Sequence, residues 1–234
     1  MRTRAAAALA VVFFSIPISG AAAPEQPLSA AQLALFASDH LHAIQTPTII
    51  RYSFAAKNGT DSFVDNVTIG VEPRPDGTKD VHTDFLSGDH HLPFAPASGF
   101  KGNPVLMFFL ERDVMEMHKT TGGSALYFRN RIREAFLDRA TTRPVSVAID
   151  GKQQSGTEVT LTPYREDPMI ARFQAYRDKS YRFVLVDAVP GTIYQISTLV
   201  PTSSTTSASE TTMTFSRTDA CHGSDGCIPG SPAP

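Results

Sequence analysis

The stretch Asn103-Pro-Val-Leu-Met-Phe-Phe-Leu-Glu-Arg-Asp-Val-Met-Glu-Met-His-Lys119, followed by Thr120-Thr-Gly-Gly123 and then by Tyr127-Phe-Arg-Asn-Arg-Ile-Arg-Glu-Ala-Phe-Leu137, decides how this chain is read. Asn103 is a good helix cap, and Pro104 suits the first helical position, where a missing N–H costs nothing. Val105 to Leu110 is apolar all round, which asks for burial on most sides. Beyond it Met107, Leu110, Val114 and Met117 continue one stripe, and Glu111, Arg112, Asp113, Glu116, His118 and Lys119 occupy the rest. Gly122-Gly123 supplies the left-handed C-cap. A second helix, from about Ala125 to Asp138, aligns Phe128, Ile132 and Phe136 at i, i+4 and i+8. Extended, the same stretch would put Arg129, Arg131 and Arg133 on one side, but its length favours a helix. The expectation is a helical hairpin between strand-rich flanks.

On the N-terminal side, Ser29 caps a first helix running to about Ala43. Three strands follow as an antiparallel meander with one buried face: Thr48–Ala56, Ser62–Val71 and Lys79–Leu86. Residues 87–102 read as a long loop, of the kind that is often functional. On the C-terminal side Pro144–Ile149 and Glu158–Pro163 flank Asp150-Gly151 as a hairpin. Met169–Ala175, Tyr181–Asp187 and Thr192–Leu199 read as further strands. Thr211–Ser216 reads as an edge strand after a Ser/Thr-rich linker, and residues 217–234 as a flexible tail with a Cys pair. The fold class is α+β, an antiparallel β-rich curved sheet or half-barrel covered by the central helical hairpin. The later strands leave room for a second small β-sandwich, with a subdivision near residue 140.

Residues 1–23 have the three parts of a secretory signal: Arg2 and Arg4, an apolar run from Ala5 to Ile18, and Ala21-Ala22-Ala23 before Pro24. The Ala-rich style suggests bacterial export, so the expected location is the periplasm or beyond, with no stable membrane span after cleavage. The globular region is then residues 24–216. The whole chain has 234 residues, 41% of them hydrophobic, and a formal charge of −2. Cleavage after Ala23 removes Arg2 and Arg4 and no acid, which takes that charge to −4. A weakly acidic protein has no basic field for non-specific nucleic-acid binding.

Cys221 and Cys227 enclose His-Gly-Ser-Asp-Gly, and an oxidising compartment makes a local disulfide the natural reading. Such a link ties a tail loop rather than the core, so its expected contribution to the fold is small. A metal-binding tail is the alternative. His82, Asp84, Asp89, His90 and His91 form the most metal-like cluster, with His82, Asp84, His90 and His91 as the candidate ligands, although no recognised ligand spacing is matched. Within the hairpin, Arg129 and Arg133 share a face at i, i+4 and suit an anionic group. The competing reading pairs these arginines with Glu111, Asp113 and Glu116 in an ion-pair lattice that does no chemistry. Nucleophile and phosphate-binding motifs are missing, and nothing calls for a cofactor.

The order of elements, a helix, a strand group, two helices and more strands over residues 29–216, resembles that of the periplasmic half-barrel proteins that carry lipids or lipoproteins in bacteria, the LolA-like group. An uncharacterised family of exported bacterial proteins is the nearer resemblance. The expected function is that of an exported, non-enzymatic periplasmic protein binding a hydrophobic ligand or a cell-envelope partner. The excess of Met and Phe around Met107–Met117 points to Met107, Phe108 and Met115 as ligand-binding residues, with Phe108 or Met115 lining a cavity. An envelope assembly or accessory factor, and a metal-dependent hydrolase using the His82–His91 region, are the alternatives.

Overall fold

The computed structural model describes residues 27–202, 207–221 and 227. The expected export signal and most of the expected tail lie outside the described residues. A short helix, α1, opens with Ala30–Gln32 and continues as a π turn over Leu33–Ala37. The strands β1 (Thr48–Asn58), β2 (Asp61–Pro73) and β3 (Lys79–Phe85) form the expected meander. Two short strands, β4 (Leu92–Pro93) and β5 (Ala97–Phe100), both pair with β3. The helices α2 (Val105–Thr121) and α3 (Ala125–Asp138) follow. A second meander, β6 (Thr141–Ile149), β7 (Lys152–Leu161), β8 (Ser180–Leu185), β9 (Ile193–Val200) and β10 (Ser209–Ala220), completes the fold.

All described strands belong to one open antiparallel sheet, in the order β4-β3-β2-β1-β10-β9-β8-β7-β6, with β5 also on β3. The topology explains the hairpin. The chain leaves β5 at one edge of the sheet and re-enters at β6, the opposite edge, so the segment between them must cross a face. Two amphipathic helices do this while satisfying their own backbone groups. They bury Phe109 and Phe128 against a sheet face that supplies Ile50, Tyr52, Phe54, Phe85 and Phe183. Each such side chain taken out of water contributes roughly 1.5–3 kcal/mol.

The ends of α2 follow the residues expected. Asn103 Oδ1 accepts the Val105 N–H at 3.1 Å. Gly122 takes the left-handed conformation at φ 70°, and its N–H donates to the His118 carbonyl at 2.9 Å. Asn103 does more than cap. Its Nδ2 donates to Tyr52 Oη and to the Gly191 carbonyl, both at 2.9 Å, and its N–H donates to His40 Nδ1 at 3.2 Å. The start of α2 is thereby fixed to β1, to the β8–β9 turn and to the segment after α1.

Several expectations are corrected. The first helix stops at Ala37, because Ser38 turns extended (ψ 143°) and donates its hydroxyl to the Leu33 carbonyl. Met169–Ala175 forms two 3₁₀ turns, Ile170–Arg172 and Gln174–Tyr176, which wrap Phe173 into the core instead of pairing with a strand. The segment 87–102 contains β4 and β5, which cover the outer edge of β3. The last strand is central rather than at an edge: β10 lies between β1 and β9, starts before residue 211 and runs on to Ala220. The strands after α3 therefore extend the first meander's sheet and do not make a second sandwich.

Candidate functional site

The two sides of α2 carry different chemistry. Toward the sheet, Leu106, Phe109, Asp113 and Met117 are buried. Asp113 meets Lys179 Nζ at 2.6 Å and accepts the Tyr181 hydroxyl at 2.5 Å. Both charged side chains are almost completely covered, and the Lys179 ammonium also lies 5.3 Å from the Tyr176 ring centroid. Burial, and next the Asp113 carboxylate, push the Tyr181 hydroxyl well above its ordinary pKa, so it stays a donor. Beside this cluster, the fully covered Asp167 carboxylate accepts from Arg131 Nε at 2.8 Å and from Tyr127 Oη at 2.5 Å. These contacts pin the hairpin to the second meander.

Away from the sheet, a groove of about 530 Å³ runs over the three helices. Leu28 and Phe36 come from the α1 segment, Met107 and Leu110 from α2, and Leu126 and Phe136 from α3. Four of these side chains are strongly exposed: Leu28 by 50%, Phe36 by 45%, Met107 by 56% and Leu126 by 62%. Large apolar side chains left exposed around one hollow are uncommon on a protein surface. Its position follows from local packing. Phe36 stands edge-on to Phe136, with centroids 5.0 Å apart, and Ser29 Oγ donates to the Phe136 carbonyl at 2.8 Å, which fixes α1 beside α3.

The groove also holds polar groups. Arg129 embraces Glu111 with Nε at 2.8 Å from Oε2 and Nη2 at 2.5 Å from Oε1. That bidentate contact holds the Glu111 carboxyl below its usual range. Arg133 also lines the groove and is exposed, and among the described residues it makes no ion pair. The site thus offers an apolar trough with a guanidinium that pairs with no carboxylate among the described residues, beside a closed ion pair.

Of the residues picked from the sequence, Met107, Arg129 and Arg133 come together in this groove. Phe108 and Met115 do not line it. Phe108 stacks on Phe94 with centroids 3.8 Å apart, and Met115 is exposed elsewhere on α2. The expected stripe of Met107, Leu110 and Val114 exists, but it faces the groove, and Met117 alone of that set faces the sheet. The expected ion-pair lattice reduces to Glu111–Arg129, since Asp113 turns inward to Lys179.

His82, Asp84, His90 and His91 are not gathered into a metal centre: among the described residues no three His, Cys, Asp or Glu side chains converge. His91 reaches Asp84 at 3.4 Å, whereas His90 stacks flat on Phe63 at 4.0 Å. Cys221 and Cys227 form the expected disulfide, with Cα atoms 5.3 Å apart. It ties more than a tail loop, because Cys227 is fully buried against β2. Sequence reasoning missed Leu28, Phe36 and Leu126. Leu126 offered a signal, since it lies off the Phe128–Ile132–Phe136 stripe.

No protein-family model matches the chain, and no curated protein matches it. Among solved structures it is similar to MucB in the Pseudomonas aeruginosa MucA/MucB complex, at 12% identity and a TM-score of 0.35, over 80% of this chain and 57% of that one. It is also similar to LprF from Mycobacterium bovis, at 11% identity and a TM-score of 0.30, over 87% of this chain and 96% of that one. A LolA superfamily protein from Nitrosomonas europaea matches at 8% identity and a TM-score of 0.22, over 83% and 95%. The chain spans 57% to 62% of the MucB chains it matches. The matched structures thus include the group whose element order the sequence resembles.

Proposed function

We propose that this chain is an exported, non-enzymatic protein of the bacterial periplasm or envelope that binds an amphiphilic ligand in the groove over its helices. Residues 1–23 are read as the signal that sends it there. The observation that carries the reading is the exposure of Leu28, Phe36, Met107 and Leu126 around one hollow of about 530 Å³. That volume lies within the range of about 300–1,000 Å³ usual for small-molecule sites. The apolar part of the ligand covers those four side chains, and each CH₂ group withdrawn from water contributes about 0.8 kcal/mol. Its polar or anionic end lies at Arg133, whose charge is not spent on a carboxylate of the described chain. Arg129 keeps Glu111 and shapes the rim.

The test is a titration of purified protein with a fluorescent long-chain fatty acid. Saturable binding by the wild type is expected, with at least a tenfold loss in the variant Leu126→Glu and a smaller loss in Arg133→Ala. Absence of saturable binding, or equal binding by Leu126→Glu, would overturn the reading.

A further inference from the structure

The strand β2 contains a glycine that its own geometry does not require. Gly70 sits between Ile69 and Val71 in a regular ladder, paired with Ile49 on one side and His82 on the other, and its φ is not positive. A glycine inside a strand weakens it, and its usual explanation is the close approach of another backbone. Here that backbone is Cys227. A Cβ at position 70 would collide with the Cys227 carbonyl oxygen. The Cys227 N–H donates to Glu72 Oε1 at 2.7 Å, a charge-assisted bond from a fully buried residue.

The other half of the disulfide is fixed just as specifically. Cys221 directly follows β10, and its N–H donates to the Pro47 carbonyl at 3.3 Å. Near it Asp219 pairs in register with Ile49, and Ile49 with Gly70. The covalent link therefore starts at the end of β10, passes across β1 and seats on β2. Between β1 and β10 runs the seam where the two meanders join, and β10, which closes it, follows the other described strands in the chain. An ion pair between Arg51 and Asp219 marks the same seam.

We propose that the Cys221–Cys227 disulfide, seated on the Gly70 notch, is a thiol-sensitive staple that locks β10 into the seam, so that the β1–β10 pairing is complete to its end only in an oxidising compartment. The chemistry is ordinary exchange with a dithiol. One thiolate attacks a cystine sulfur and forms a mixed disulfide, and the second thiol displaces it. Two electrons pass to the cystine, leaving two free thiols on the protein and an intramolecular disulfide in the reagent. Without the link, Cys227 is no longer held at Glu72, and the Cys221 end of β10 frays from Pro47.

The experiment is hydrogen–deuterium exchange on the full mature chain, with and without dithiothreitol. Reduction is expected to speed exchange of the β10 amides near Cys221 at least tenfold and to leave α2 and α3 unchanged. The variant Gly70→Val, its disulfide verified intact by mass, should show the same acceleration, because the notch is filled. Glu72→Gln should show a smaller one. Unchanged β10 protection in the reduced wild type would overturn the proposal, as would wild-type protection in Gly70→Val with its disulfide intact. If Gly70→Val does not fold, the reduced wild type and the Cys221→Ser/Cys227→Ser double variant decide between the same two outcomes.

Discussion

Phe109 and Met107 are two residues apart on α2, yet the first is 1% exposed and the second 56%. The same contrast runs along the hairpin. Its inner side holds aromatic rings and a buried Lys179–Asp113 pair, and its outer side holds apolar groups without partners around an ion pair open to water. Folding accounts for the inner side, where Phe109 and Met117 fill the core and Asp113 neutralises Lys179. It does not account for Leu28, Met107 and Leu126, or for the outer face of Phe36, which folding leaves wet at a cost to solubility. Side chains that the fold does not need are the ones to ask about function. The two sides should therefore respond to substitution in opposite ways, one through stability and the other through binding.

The largest effect is expected on the inner side. Asp113→Ala leaves the Lys179 ammonium buried without its partner and removes the acceptor of Tyr181, and it should cost roughly 3–5 kcal/mol in urea denaturation. A loss under 1 kcal/mol would mean that the ammonium finds water, and the contrast between the two sides would shrink. The double variant Met107→Glu/Leu126→Glu should do the reverse. Its stability should stay within about 0.5 kcal/mol of wild type, while fatty-acid binding falls more than tenfold.

The pH dependence sharpens the comparison from the sheet. Burial alone would raise the Glu158 carboxyl, but Arg143 and Arg182, at 2.6 and 2.5 Å, hold it below its ordinary value. A carboxyl depressed in the folded state gives stability that is fully present above its unfolded pKa, about 4.3. That stability is lost as pH falls through the lowered folded value. Glu158→Gln should thus flatten the acid limb of the stability profile below about pH 5, and an unaltered limb would remove this ion pair from the account. The smallest effect is expected at the groove rim: Arg129→Ala should change stability by less than about 1 kcal/mol, because its pair with Glu111 is exposed.

Much of the fold was legible because it is written locally. Asn103-Pro104 and Gly122 mark the ends of α2, and alternation marks β1 to β3. Asp150-Gly151, both at positive φ, make the β6–β7 turn. Strand order was not legible, because it depends on partners far apart in sequence. Thr211–Ser216 has the composition of an edge strand, and only the pairing of Met213 with Phe54 and Ile196 shows it to be central. The site was half legible for the same reason. Met107, Arg129 and Arg133 stand on one hairpin, and their helical spacing groups them. Leu28 and Phe36 reach the groove only through the packing of α1 on Phe136. Asp113 looked like its neighbour Glu111 until Lys179, 66 residues later, turned out to lie beneath it.

Native mass spectrometry of the protein purified without detergent tests the central claim most directly. The account predicts a bound amphiphile at one per chain in the wild type, absent from Met107→Glu/Leu126→Glu although that variant is folded. A bare wild-type chain, or a ligand retained equally by the double variant, would contradict it.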